Sequence, residues 1–207
     1  MCMNLIGSGV VFHAPSFFKE LAELEAKGLE GAHQRILVSD RCQINFELHA
    51  AVDGLEEVEL GAEAIGTTKR GIGPSYSTKA ARSGIRLAEA FDEELFEKKL
   101  RRLADGYKKR YGDLLKYDVE KEIADRKVRA HSLIVPGRWH PGADRSQEFR
   151  QKLAEYCVDA VQFISDAQRS NKKILIEGAN ALMASLPRLL NPPPPLPFSG
   201  WRMDTFF

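Results

Sequence analysis

The stretch Gly66-Thr67-Thr68-Lys69-Arg70-Gly71-Ile72-Gly73-Pro74-Ser75-Tyr76, running on to Lys79 and Arg82, gathers the residue types suited to holding an anion. Between Ala64 and Ala88 there is no acidic residue, while Lys69, Arg70, Lys79, Arg82 and Arg86 supply positive charge and four glycines leave the backbone amides accessible. Hydroxyls, free amides and uncompensated cations in one short segment make a receptor for an anion, and phosphate suits it best. A purely structural use of the same groups, capping a helix and a carboxylate elsewhere, is the competing reading from composition alone.

The elements that position this loop read as α/β. Asn4 to Phe12 combines glycine turns with an apolar run and predicts a buried strand reached through a tight turn. A short amphipathic helix follows, with Ser16 as N-cap, Phe17, Leu21 and Leu24 on its stripe and Gly28 closing it. Ile36-Leu37-Val38 predicts a strand, and Asp40 a cap for a helix carrying Ile44, Leu48, Val52 and Leu55 inward. Lys79 is read as starting the next helix, so that Lys79 and Arg82, three apart, share a face and address one ligand together. Asp92 caps a further helix with Phe96, Leu100, Leu103 and Tyr107 on one side. Lys173 to Asn180 predicts another buried strand, ending in a small-residue turn of the kind that contacts ligands. His13 and His49 are read as structural rather than catalytic.

With 207 residues, 43% of them hydrophobic, the chain can bury one core, or two at most. A net charge of +1 gives no global field directed at nucleic acid or an anionic membrane, so neither is expected as a partner. The basic residues of the helix after Asp92 alternate with Glu93, Glu94, Glu97 and Asp105, which marks a solvated face. Cys2, Cys42 and Cys157 are odd in number and lack metal-ligand spacing; with no leader or membrane span read, a cytoplasmic location is expected.

Two stretches break the pattern. Residues 128–147 lack periodicity; excising them brings Val119 and Ile123 into phase with Leu153, Cys157, Val161 and Ile164, which reads as an insertion into one long helix. An ordinary surface loop is the even alternative. Beyond Met183 the chain becomes proline-rich, and 184–207 is expected to be a disordered tail.

Ile65-Gly66-Thr67-Thr68-Lys69-Arg70-Gly71-Ile72-Gly73-Pro74-Ser75-Tyr76 followed by Lys79 and Arg82 resembles the second signature of the adenylosuccinate synthetases, of the form G-I-G-P-x-Y-x-x-K-x-x-R. Asn4 to Val11, Val52-Asp53-Gly54-Leu55 and Ile174 to Met183 are also similar to that family, in its order and its fungal flavour. The resemblance implies a partial family domain over 1–183: a mostly parallel sheet flanked by helices, without the N-terminal P-loop part or the C-terminal part. The family's Q-W-G-D-E-G-K-G loop, with its general base and Mg²⁺ ligand, has no counterpart in these 207 residues. Both aperiodic stretches interrupt family-like segments mid-motif, as translated non-coding sequence would, and sequencing the transcript across the junctions tests that expectation.

By that resemblance the activity is GTP- and Mg²⁺-dependent ligation of IMP and L-aspartate to adenylosuccinate, in AMP biosynthesis. It implies Thr68 as a hydroxyl donor to the IMP 5′-phosphate, Arg70 on the aspartate side, and Asn180 as an amide on the bound purine nucleotide. Lys79 is implied as the active-site lysine, and Arg82 as a guanidinium reaching the IMP of the second subunit in a homodimer, a task suited to bidentate arginine. The principal GTP and Mg²⁺ ligands of the family are not among these residues. The chain alone is therefore expected to retain substrate recognition and to lack activity; a non-catalytic IMP-binding or dimer-partner role is the alternative.

Overall fold

The computed structural model describes residues 2–63, 66–128 and 152–178. Two compact units are distinguished, 1–163 and 164–207. Asn180, most of the 128–147 stretch and the proline-rich tail lie outside the described residues.

Unit one is built on short parallel strands. β1 (Asn4–Ile6) pairs with β3 (Ile36–Ser39), and β3 with β5 (Cys157–Val158), in the order β1-β3-β5. A second parallel pair joins β2 (Val11–Phe12) to β4 (Gln43–Ile44). Helices α1 (Ala14–Ala26), α2 (Glu47–Leu60), α3 (Ile72–Ala80), α4 (Glu93–Tyr111) and α5 (Val119–Val128) complete it, and α6 (Ala160–Arg169) runs across the boundary between the units.

The core follows from the apolar stripes. Phe17 and Leu21 of α1, Val38 of β3, Leu48 and Val52 of α2, and Phe96, Leu100 and Leu103 of α4 are all buried in one cluster. Phe17 meets Phe12 and Tyr156 with ring centroids 5.2 and 5.1 Å apart, joining α1 to the chain just before β5. Such burial contributes about 1.5–3 kcal/mol per large apolar side chain. The Asp92 carboxylate accepts from Leu95 N–H at 3.0 Å, the expected cap of α4. Gly28 closes α1 at φ +86°.

Several expectations give way. The single strand from Asn4 to Phe12 is two strands joined by a turn. Ser16 lies inside α1, whose N-cap is His13; the Ser16 hydroxyl and His13 Nδ1 are hydrogen-bonded at 2.8 Å. Asp40 caps no helix: its N–H donates to Val158 O, Ile44 is in β4, and α2 begins only at Glu47. The predicted long helix is broken, because Cys157 and Val158 pair with Val38 and Ser39 as a strand. In unit two, residues 172–178 form no strand, and Leu175 and Ile176 are 82% and 87% exposed.

Candidate anion-binding site

The loop from Gly66 to Gly71 is held from within by a carboxylate that its own sequence lacks. Asp53 of α2 is buried, and its Oδ2 accepts the Gly71 N–H at 2.8 Å. The Thr67 hydroxyl donates to the same carboxylate, 2.9 and 3.0 Å from its two oxygens. In turn Thr67 Oγ1 accepts the Lys69 N–H at 3.1 Å. Asn45 Nδ2 donates to Arg70 O at 2.7 Å, and Gly66 N–H donates to Glu57 Oε2 at 3.2 Å. Lys69 thereby sits in the left-handed region at φ +54°, an uncommon conformation for a residue with a side chain.

Gly71 is a point of close approach. A Cβ there would lie 2.5 Å from Ala50 N and from His49 C, and its φ is +75°. Glycine alone lets the loop lie against the first turns of α2 and then enter α3 as its N-cap.

Helix α3 is anchored on both sides. His49, fully buried, accepts the Phe46 N–H at Nδ1 (3.0 Å), which places the ring proton on Nε2. Nε2–H then donates to Thr78 Oγ1 at 3.2 Å, and the Thr78 hydroxyl donates to Ser75 O at 2.9 Å. On the other side the Tyr76 hydroxyl donates to Gly9 O (3.0 Å), and Lys79 Nζ to Ser8 O (2.5 Å). His49 and Asp53, four residues apart, thus form a polar edge beside the apolar stripe of α2.

Thr68 and Arg70 are exposed next to the N-terminus of α3, and among the described residues their side chains have no hydrogen-bond or ion-pair partner. The same holds for the Lys69 side chain. These groups face solvent where the helix dipole also favours a negative charge. Asp53 directs its own charge inward, onto Thr67 and Gly71. The loop thus carries an exposed hydroxyl and two exposed cations on three consecutive residues.

Arg82 is not part of that cluster. It follows the end of α3 at φ +58°, so it shares no helical face with Lys79 and the expected pairing is overturned. Lys79 belongs to the last turn of α3 rather than to the start of a helix. Nine residues at 1.5 Å rise put about 13 Å between the two ends of α3. Arg82 instead lines a cavity of about 490 Å³ with Thr78, Lys99, Arg102, Tyr107 and Arg110. Lys99 is paired there with Glu89 at 2.6 Å, and Arg110 with Glu59 at 2.7 Å. Sequence reasoning read His49 as structural but missed its bond to Thr78, and it missed Asp53 and Asn45 as supports; a carboxylate and an imidazole one turn apart beside an apolar stripe were the available signal.

No group of three or more acidic, histidine or cysteine side chains able to hold a metal ion is found among the described residues. Nor is any helix among the described residues long and apolar enough to cross a membrane.

Comparison with known proteins places this geometry in context. The family model "Adenylosuccinate synthetase" matches residues 1–187. An adenylosuccinate synthetase from Pyricularia oryzae is 66% identical over 185 residues, which cover 89% of this chain and 39% of the relative. A second, from Neurospora crassa, is 64% identical, with 89% and 38% covered. The solved structure of fully ligated adenylosuccinate synthetase from Plasmodium falciparum superimposes with a TM-score of 0.67 at 33% identity, over 87% of this chain and 37% of that one. The chain therefore spans about 39% of the length of the curated relatives it matches.

Proposed function

The chain belongs to the adenylosuccinate synthetase family, and from that premise we propose that it supplies the IMP-recognising part of the GTP-dependent ligation of IMP and L-aspartate to adenylosuccinate. Mg²⁺ and GTP enter the reading by family alone. The observation that carries it is the Gly66–Gly71 loop, which turns an unpartnered Thr68 hydroxyl and the Lys69 and Arg70 cations outward beside the N-terminus of α3.

In this reading Thr68 donates to the 5′-phosphate of IMP, and Arg70 neutralises charge on the aspartate side. Asn180 contacts the purine nucleotide. Lys79 is the active-site lysine of the signature, its ammonium held against Ser8 O from the last turn of α3. Catalysis of this type rests on placing phosphoryl groups and neutralising the charge they develop. The setting is AMP biosynthesis in the cytoplasm.

Arg82 acts in trans within a homodimer, reaching the IMP of the second subunit. Its place past the far end of α3 from Thr68 favours this over service to the same nucleotide. Sedimentation with and without IMP, on the wild type and Arg82→Ala, tests it. IMP is expected to shift the wild type toward dimer and to leave Arg82→Ala unshifted; an equal response of both contradicts the role.

A non-catalytic IMP-binding or dimer-partner role is the second reading, carried by the same exposed Thr68, Lys69 and Arg70 side chains. Incubating the purified chain with IMP, GTP, Mg²⁺ and aspartate separates the two. Adenylosuccinate formation supports the enzyme, and IMP binding without turnover supports the binding module.

A further inference from the structure

We propose that Asp53 is the positioning residue of the anion-binding loop, its buried carboxylate setting the backbone shape in which Thr68 and Arg70 are presented. The inference rests on the reading of that loop as an IMP phosphate receptor. Asp53 does not touch the nucleotide; it acts through Thr67, Lys69 and Gly71.

The geometry is specific. One carboxylate gathers both ends of the loop, the Thr67 hydroxyl on the incoming side and the Gly71 N–H on the outgoing side. Thr67 relays the restraint by accepting the Lys69 N–H, and Lys69 is the residue held at φ +54°. A left-handed residue between two pinned points fixes the peptide planes on either side of it, which include the Thr68 carbonyl and the Arg70 amide. Asn45 fixes the Arg70 carbonyl as well, so the backbone is restrained at Thr67, Lys69, Arg70 and Gly71 while the Thr68, Lys69 and Arg70 side chains stay exposed.

Asp53 lies on α2, four residues from His49, whose hydrogen bond with Thr78 orients α3. Loop and helix are therefore registered against the same two turns of α2. A charged acceptor serves this task well, because hydrogen bonds to an ionised carboxylate are about twice as strong as neutral ones. Its inward direction also keeps its negative charge hydrogen-bonded to the loop rather than presented to an incoming anion.

The test is calorimetric titration of IMP and of inosine into the wild type, Asp53→Ala, Asp53→Asn and Thr67→Val, with Asp92→Ala as a stability control remote from the loop. Wild type is expected to bind IMP at least tenfold more tightly than inosine. Asp53→Ala and Thr67→Val should lose most of that preference, their IMP affinity falling about tenfold while inosine affinity holds. Asp53→Asn, which retains one acceptor for Gly71 N–H and a donor toward Thr67, should recover part of it. Asp92→Ala should unfold more easily yet keep the full preference. Wild-type preference absent means the phosphate reading itself fails. Preference present but unchanged in both Asp53→Ala and Thr67→Val overturns the positioning role; should Asp53→Ala not fold, Thr67→Val decides alone.

Discussion

Lys79 shows what one side chain of the signature contacts within the fold. In the signature it stands as an active-site lysine; in the fold its ammonium donates to Ser8 O at 2.5 Å and lies 5.8 Å from the centre of the Tyr76 ring. A charge-assisted hydrogen bond at a partly exposed site contributes about 1 kcal/mol. Lys79→Met is therefore expected to lower the urea unfolding free energy by about that amount; unchanged stability would show the contact to be incidental. Gly71 is the sharper case. Its φ of +75° and the 2.5 Å approach of a hypothetical Cβ to the α2 backbone mean that Gly71→Ala must displace loop and helix. A loss of more than about 2 kcal/mol is expected from combined strain and overpacking. The cationic, glycine-rich character of the Gly66–Gly71 loop was legible in the sequence because its residue types are contiguous. Asp53 was not, since nothing in a linear reading tells that an acid on α2 meets a loop 14 to 18 residues later.

At the scale of elements, legibility tracked how local the determinants are. α4 carries its own instructions: Asp92 as cap, acids in the first turn, bases in the last and an apolar stripe. Asp92→Ala should accordingly lower stability by about 1 kcal/mol, measurable as a shift in the urea midpoint. α3 was expected to start at Lys79, whereas it runs from Ile72 to Ala80. Pro74 is the third residue of the helix, where the missing N–H costs nothing because no intrahelical acceptor exists there. β2 and β4 are two residues each, and their pairing joins Val11 to Gln43. Strands so short are specified by their partner rather than by their own pattern. The same holds for Cys157 and Val158, whose helical phase with Ile123 was outweighed by parallel pairing to β3.

For the molecule as a whole, the sheet-centred unit buries the Cys42 thiol and partly covers that of Cys157. Desolvation raises both Cys42 and Cys157 to a pKa of about 11, whereas Cys2 is exposed. The thiolate is the reactive form, so at neutral pH the native chain is expected to give one rapidly titrating thiol with a disulfide reagent and two more after denaturation. Three fast thiols would mean that β3 and β5 open readily.

The account as a whole turns on whether the Gly66–Gly71 loop receives the phosphate of IMP. The most direct measurement is calorimetric titration of IMP into the wild type and into Thr68→Val, whose hydroxyl is replaced by a methyl of similar size. The account predicts IMP binding by the wild type and an affinity about tenfold lower in Thr68→Val, equivalent to about 1.4 kcal/mol. Equal affinity of the two proteins, or no IMP binding by either, would contradict it.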